Sequence, residues 1–541
     1  MKGPLLGVGL LALLAQSTPT FTAPPARFAD LERRARLERA FPEIDTLFES
    51  YTAGAHVPGA AWGIIIDGEL AHSGVTGFRD VPSKAPVTPD TVFRIASMTK
   101  SFTAIAILKL RDEGRLSLDD VAETYVPEMK TLVYPTSDSP RITIRHLLSH
   151  AEGFPEDNPW GDQQLAESDE RMSAMIKAGI PFSNAPGVAY EYSNFGFAIL
   201  GRIVGNISRG SRGRPLSPTE AYTEYVTENV LKPLGMSSTT LEPSRVPAGK
   251  LAHGYRWEDN QWKTEPLLAN GSFGAMGGML TTLSDLGKYV GAFLAAWPPR
   301  DGAETGPIRR SSLREMQQVS RPAAAVVSTV QSQAAAGAAS PSGVRVQLNS
   351  GGYGYGLRVS QTCEFPTVVS HGGGLPGFGT QMRWLPEYGV GLIAFGNLTY
   401  TSWPRTFDAA LAALARTGGL QPRVIEPSPA LVAARDEVAR LIVNWDDAAA
   451  ARIAAVNLFL DQSRDRRRDA IAALTAQAGV CAAGSGFDRV ENALRGDWTM
   501  TCERGRLRVA ITLAPTMPPK VQFMAVTAVP AGEPPRAGTC Q

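Results

Sequence analysis

Three short stretches of this 541-residue chain hold side chains that together could break an acyl bond. Ser97-Met98-Thr99-Lys100 sets a hydroxyl three residues before an amine, Tyr192-Ser193-Asn194 adds a phenol and an amide, and His371-Gly372-Gly373-Gly374 adds an imidazole and a run of glycines. Acyl transfer needs an activated nucleophile, a carrier for the leaving group's proton, and donors aimed at the tetrahedral oxyanion. Ser97 supplies the hydroxyl. An ammonium cannot take its proton, but a lysine in a low-dielectric pocket beside a helix N-terminus can lose its charge, and a tyrosine near an ammonium has its phenolate stabilised and its pKa lowered. Lys100 and Tyr192 are therefore both candidate bases. Asn194 can donate and accept, which suits an amide-bearing substrate and can also hold Lys100 in place. The expected oxyanion donors are the backbone N–H groups of Ser97 and Gly374. Gly374 is placed on an edge strand, where Gly372 and Gly373 let the main chain approach the scissile carbonyl.

These residues need elements to hold them. The spacing of Phe102, Ile105, Ala106 and Leu108, with Gly114 at the far end, predicts a buried helix from about Ala96 to Glu113. Ser97 and Lys100 then share one face of its first turn. Pro186-Gly187 marks a turn, so residues 192–194 should sit on a loop entering the apolar helix 195–208. The third motif falls within an antiparallel meander whose apolar runs are 354–359, 368–371, 379–385 and 390–395. An amphipathic helix over 28–51, a hairpin 60–66/69–77 turning at Asp67-Gly68, and a helix over 403–417 supply covering layers. Gly277-Gly278-Met279-Leu280 is expected to open another helix, with Ser284 as its cap. Residues 322–343, rich in Ala, Ser, Gln and Gly, read as a mobile insertion without an element of their own. Helices from both ends of the chain around one such sheet give an α+β core over 28–420.

Beyond it, three prolines mark 421–429 as a linker, and 430–541 reads as a separate small α+β accessory domain. That unit has no histidine, and Arg464-Asp465-Arg466-Arg467-Arg468 is expected to be a solvated helix face. The 53 basic and 52 acidic residues leave a net charge of +1, so no global field draws nucleic acid or a membrane surface. Residues 1–23, one early lysine and a short apolar run before a Ser/Thr/Pro-rich exit, read as a secretory signal. That run is too short to span a bilayer comfortably, and no other stretch of about 18 apolar residues exists. The chain is thus expected to be exported, periplasmic or secreted. Its four cysteines then permit disulfides, with Cys481 and Cys502 the first candidate pair. The six histidines are scattered and imply no metal, and no organic cofactor is implied either.

The second motif starts 192 − 97 = 95 residues after Ser97 and the third 371 − 97 = 274 residues after it. In order and spacing they resemble the serine β-lactamase and penicillin-binding-protein superfamily, in the branch related to class C β-lactamases and D-Ala-D-Ala carboxypeptidases. Leu147-Leu148-Ser149-His150-Ala151-Glu152-Gly153-Phe154, Leu231-Lys232-Pro233-Leu234-Gly235-Met236 and Gly277-Gly278-Met279-Leu280-Thr281-Thr282 extend the likeness over roughly 28–417. The resemblance implies a β-lactamase/transpeptidase-like antiparallel sheet flanked by helices, with an all-helical subdomain. It also implies Ser97, Lys100 and Tyr192 as catalytic residues and Asn194, His371, Gly373 and Gly374 as substrate-binding ones. The activity it implies is hydrolysis of an amide or ester through an acyl-Ser97 intermediate, with a D-amino-acid peptide or peptidoglycan-like fragment as the leading substrate class. A carboxylesterase or β-lactamase on the same fold, and a recognition module without turnover, are the alternatives. In relatives whose third motif begins with lysine, that cation helps hold the substrate carboxylate. Histidine, with an ordinary pKa of about 6.5, is expected to make such binding weaker or pH-dependent.

Overall fold

A computed structural model describes residues 24–209, 215–323, 325–331, 344–482, 484 and 486–529. The expected signal segment, Cys540 and most of the expected mobile insertion lie outside the described residues. Two compact units emerge, one over 30–422 and one that joins 24–29 to 423–529. The early residues enter the second unit through paired backbone hydrogen bonds between Arg27 and Val424.

The larger unit is built on an antiparallel sheet that is ten-stranded among the described residues. Its order is Ala85–Pro86, Glu69–Asp80, Gly59–Ile66, Val390–Gly396, Phe378–Leu385, Val368–Leu375, Arg358–Gln361, Val344–Tyr353 and Arg321–Pro322, with Val326–Gln331 also on Val344–Tyr353. The first and last parts of the unit meet at its centre, where Gly59–Ile66 pairs with Val390–Gly396. Every residue of Gly59–Ile66 is buried, so its two faces serve two cores. Trp62, Ile64 and Ile66 pack with Phe48, Trp403 and Phe407 under the helices Phe41–Gly54 and Pro404–Arg416. Ala61 and Ile65 belong to the opposite core, with Phe102, Ile105, Phe197 and Tyr289. Helices therefore flank both faces. The helices between residues 99 and 226 form the expected helical part, led by Thr99–Asp112 and Asn194–Ser208.

Several local expectations are corrected. The helix after residue 280 is Leu283–Ala295, and its cap is Thr282, whose hydroxyl accepts from Asp285 N; Ser284 lies inside it. Residues 277–280 do not open that helix: Gly274–Gly277 is its own short turn, and Leu280–Thr281 pairs with Phe93–Arg94. The stretch 322–343 holds the strand Val326–Gln331, which an Ala/Ser-rich composition hides because the pairing partner lies beyond it.

The second unit has the sheet Arg489–Asn492, Arg495–Cys502, Gly505–Leu513 and Val521–Ala528, with the helices Pro429–Val443, Asp447–Ile453 and Arg464–Ala478. Leu431, Val438, Trp498, Leu507, Val509 and Ile511 form its core. A Cys481–Cys502 disulfide joins the segment that follows the Arg464–Ala478 helix to the end of the Arg495–Cys502 strand. Arg467 is not on a solvated face: it is buried and donates to the carbonyls of Met524 and Leu458.

Candidate active site

Ser97 sits in the 3-10 turn Ala96–Met98 that leads directly into the Thr99–Asp112 helix. Ala96 adopts φ 47°, a left-handed conformation rare for a residue with a side chain, and this turn presents Ser97 to the cleft. The turn is pinned from two sides. Ile95 N donates to Met279 O, and the Thr380 hydroxyl donates to Ile95 O at 3.1 Å.

One helical turn on, the Lys100 amine is fully buried and lies 3.0 Å from Ser97 Oγ, 2.7 Å from Asn194 Oδ1 and 2.8 Å from Met276 O. The two latter oxygens can only accept. A neutral amine has two hydrogens and one lone pair, so once these oxygens take the hydrogens the lone pair is left facing Ser97 Oγ. The Asn194 amide is oriented by a chain of contacts: its Nδ2 donates to Asn158 Oδ1 at 2.6 Å, and Asn158 Nδ2 donates to Glu156 Oε1 at 3.0 Å. Burial brings the Lys100 amine down to about 7; Asp157 and Asp162 oppose this shift and Arg358 adds to it.

Asn194 begins the Asn194–Ser208 helix, with Ser193 as its cap. Asp157 strengthens that end by accepting from Asn194 N at 2.7 Å and Phe195 N at 2.8 Å. The Tyr192 ring lies 4.9 Å from Lys100 Nζ, and its phenol hydrogen-bonds the Ser97 hydroxyl. The expected lowering of the Tyr192 pKa is overturned. Burial pushes the phenol well above its usual value, and the Ser97 hydrogen bond and the Arg358 cation offset this only in part.

The third motif lies on the strand Val368–Leu375. This strand is interior to the sheet, not at its edge, because Val368–Ser370 pairs with Arg358–Ser360 on one side and Val369–Leu375 pairs with Phe378–Trp384 on the other. The pairing with Arg358–Ser360 stops at Ser370, so His371–Leu375 offers a local free edge, and this half packs against the Ala96–Met98 turn. Glycine is required at 373: a Cβ there would stand 2.1 Å from Ile95 O.

The His371 ring is buried. Its Nδ1 lies 2.6 Å from Gly372 O, a pure acceptor, so Nδ1 carries the proton and Nε2 accepts from the Tyr353 hydroxyl at 2.9 Å. Burial, with Lys100 and Arg358 nearby, takes its pKa down to about 3. The expected titration of His371 near neutral pH is therefore corrected: the ring is neutral across that range.

A cavity of about 540 Å³ runs past Ser97, Tyr192, Arg358, His371 and Gly372–Gly374, and Glu156, Asn158 and Tyr400 complete its rim. Sequence reasoning missed four contributors. Arg358 places its guanidinium 5.7 Å from the Tyr192 ring centroid. Asp157 caps the helix start, and Tyr400 walls the cavity. His150 accepts from Ser193 N through Nδ1 and packs its ring 4.4 Å from that of Tyr192, so it positions the motif. The 147–154 stretch marked His150 as part of a pattern but gave no partner for it; the other three carry no local signal. Among the described residues no cluster of His, Cys, Asp and Glu could hold a metal ion, and no helix is long and apolar enough to cross a membrane.

Residues 44–417 match the family model described as Beta-lactamase. Protein flp of Staphylococcus aureus (strain MW2) is 34% identical over 215 residues, 39% of this chain and 41% of that protein. The chain thus spans about two fifths of the length of these curated relatives. Beta-lactamase-like protein 4 of Dictyostelium discoideum is 27% identical over 68% of this chain and 61% of its own. Among solved structures, the octameric penicillin-binding protein homologue from Pyrococcus abyssi aligns over 91% of this chain and 94% of its own, with TM-score 0.54 and 20% identity. A class C β-lactamase aligns over 72% of this chain and 98% of its own, with TM-score 0.51 and 18% identity. Both structural likenesses concern the fold.

Proposed function

The chain belongs to the β-lactamase family, and from that premise we propose that it is an exported serine hydrolase that cleaves an amide or ester through an acyl-Ser97 intermediate. The observation that carries this reading is the lone pair of Lys100 turned onto Ser97 Oγ at 3.0 Å by two acceptors that occupy its hydrogens. Ser97 passes its proton to Lys100 as Oγ attacks the carbonyl carbon. The N–H groups of Ser97 and Gly374 receive the developing oxyanion, each such donor being worth about 3 kcal/mol. The Tyr192 phenol, protonated and hydrogen-bonded to Ser97, gives its proton to the leaving group and is resupplied by the Lys100 ammonium. Water then takes the leaving group's place and the same groups run in reverse.

Lys100 rather than Tyr192 acts as the base in this scheme, because burial disfavours the charged form of each, and the basic form of the amine is neutral whereas that of the phenol is an anion. The leading substrate class is a D-amino-acid peptide or peptidoglycan-like fragment with a free carboxylate. Arg358 supports it: this cation stands on the cavity wall beside the neutral His371, and so takes over the anion-holding task that the imidazole cannot perform. The same neutral His371 favours a second reading, a carboxylesterase acting on uncharged esters. Export rests on the character of residues 1–23. A fluorophosphonate or fluorescent penicillin should label the wild type and spare Ser97→Ala. Turnover of D-Ala-D-Ala peptides, nitrocefin and short-chain esters on one preparation separates the substrate classes. A folded wild type that no acylating probe labels would refute the hydrolase reading.

A further inference from the structure

The cleft has two chemically different ends. The strand Val368–Leu375 runs from His371 to Gly374 along the free edge that faces Ser97. At the His371 end stands Arg358, whose backbone pairs with Ser370. At the Gly374 end stands Tyr400, packed so closely that a Cβ on Gly374 would lie 2.5 Å from its ring.

Tyr400 is not an ordinary surface aromatic. It is 48% exposed, lines the cavity, and holds φ 53° on the loop after the strand Val390–Gly396. A bulky residue in that conformation is strained unless its surroundings fix it. Two contacts do so. Its backbone N donates to Phe378 O at 3.1 Å on the sheet side, and its phenol donates to Asp162 Oδ2 at 2.6 Å on the helical side. Asp162 is only 2% exposed and belongs to the short helix Trp160–Gln163, which lies against Asn194 through Gly161. The Tyr400–Asp162 hydrogen bond thus ties the sheet to the helical part across the mouth of the cleft, joining residues 238 positions apart.

We propose that Tyr400, held by Asp162, is the residue that limits the length of the acyl group this site accepts. The inference rests on the acyl-Ser97 reading above. With the leaving group directed to Arg358, the acyl portion runs along the free edge past Gly374 and meets the face of the Tyr400 ring. A short acyl group ends before the ring, whereas a long one must displace it and break a hydrogen bond to a buried carboxylate. The site is thereby selective for small acyl groups, such as a single amino-acid residue or a short carboxylic acid, which narrows the D-amino-acid peptides proposed above to those with a short acyl portion.

The test compares p-nitrophenyl acetate, butyrate and octanoate on the full-length wild type, Tyr400→Phe and Tyr400→Gly. Glycine is chosen over alanine because it adopts φ 53° without strain. In the wild type kcat/KM falls from acetate to octanoate. In Tyr400→Gly the octanoate-to-acetate ratio of kcat/KM rises by about tenfold or more, the scale on which apolar pockets discriminate added methylenes. Tyr400→Phe keeps the ring and loses the tether, and shows a smaller rise, carried by KM for octanoate. An unchanged ratio in Tyr400→Gly, with acetate still turned over, overturns the length limit and leaves the acyl-serine reading standing. A folded wild type that neither hydrolyses acetate nor takes a fluorophosphonate at Ser97 overturns both.

Discussion

The protonation state of one buried amine should govern the rate. Lys100 is brought from 10.5 to about 7, so roughly half of the molecules hold the neutral base at pH 7. At the unshifted value only about 3 in 10,000 would, so burial raises the available base by about a thousandfold. The sign follows: a base whose folded pKa is depressed is active above that pKa and is lost as pH falls through it. Between pH 7 and pH 5 the neutral fraction falls about fiftyfold, and kcat/KM should fall with it on a limb of unit slope. Neither His371 nor Tyr192 obscures this limb, because His371 titrates at about 3 and burial pushes Tyr192 well above its usual range. The assay is the second-order rate of fluorophosphonate labelling or of p-nitrophenyl acetate acylation from pH 5 to 9, with circular dichroism over the same range. Lys100→Arg, permanently charged, should lose a factor of about 10² to 10⁴ and the limb with it. A rate that is flat from pH 5 to 8 in a folded protein, or a limb near 10, would refute the assignment of Lys100 as the base.

Other consequences follow from single contacts. Tyr192→Phe should lower kcat by about 10² or more while the fold is retained, with esters of good leaving groups least affected. Gly373→Ala should destabilise the larger unit by about 1–3 kcal/mol in thermal melts and slow acylation, since the added methyl meets Ile95 O and moves the serine turn. Both carboxyl oxygens of Glu152 are buried with no side-chain partner among the described residues, and burial raises its pKa well above 4.5. Its contribution to stability is thus full below about pH 4.5 and falls as pH rises toward the folded value, so urea midpoints at pH 5 and 7 should fall less in Glu152→Gln than in the wild type. The double variant Cys481→Ala/Cys502→Ala opens a link spanning 21 residues and should cost the second unit about 3 kcal/mol, seen as a lower melting transition with ester hydrolysis unchanged.

The parts of the site that were legible in the sequence are those set by local spacing. Ser97 and Lys100 share a helical turn, and Tyr192 and Asn194 flank a capping serine, so each pair is fixed by a few bonds of chain geometry. The meander was equally readable, because alternation and turn residues are local, as in Phe378–Leu385 and Val390–Gly396. The missed features all depend on distant chain coming together. Arg358 gains meaning only when its strand stops pairing at Ser370 beside Tyr192, and Tyr400 only when Asp162 crosses the cleft. The strand Val326–Gln331 shows the same limit, its pairing resting on Val344–Asn349 rather than on its own composition. The Tyr192 pKa failed for another reason: the rule that an ammonium lowers a neighbouring phenol presumes a charged lysine, and the burial that encloses both groups removes that charge first.

That ordering of effects also accounts for the third motif. A second buried cation at position 371 would add to the repulsion that Arg358 already exerts on the Lys100 ammonium, and each buried charge loses its hydration. A neutral imidazole, its tautomer fixed by Gly372 O and Tyr353, fills the same place, and in the proposed reading the cationic work falls to Arg358 on the exposed wall of the cavity, where less hydration is lost. Arg358→Gln should therefore raise KM for a carboxylate-bearing D-peptide more than for p-nitrophenyl acetate. It should also move the acid limb upward, because removing a like charge lets Lys100 hold its proton to higher pH. A limb that does not move, or moves downward, would refute the contribution of Arg358 to a depression that burial leads.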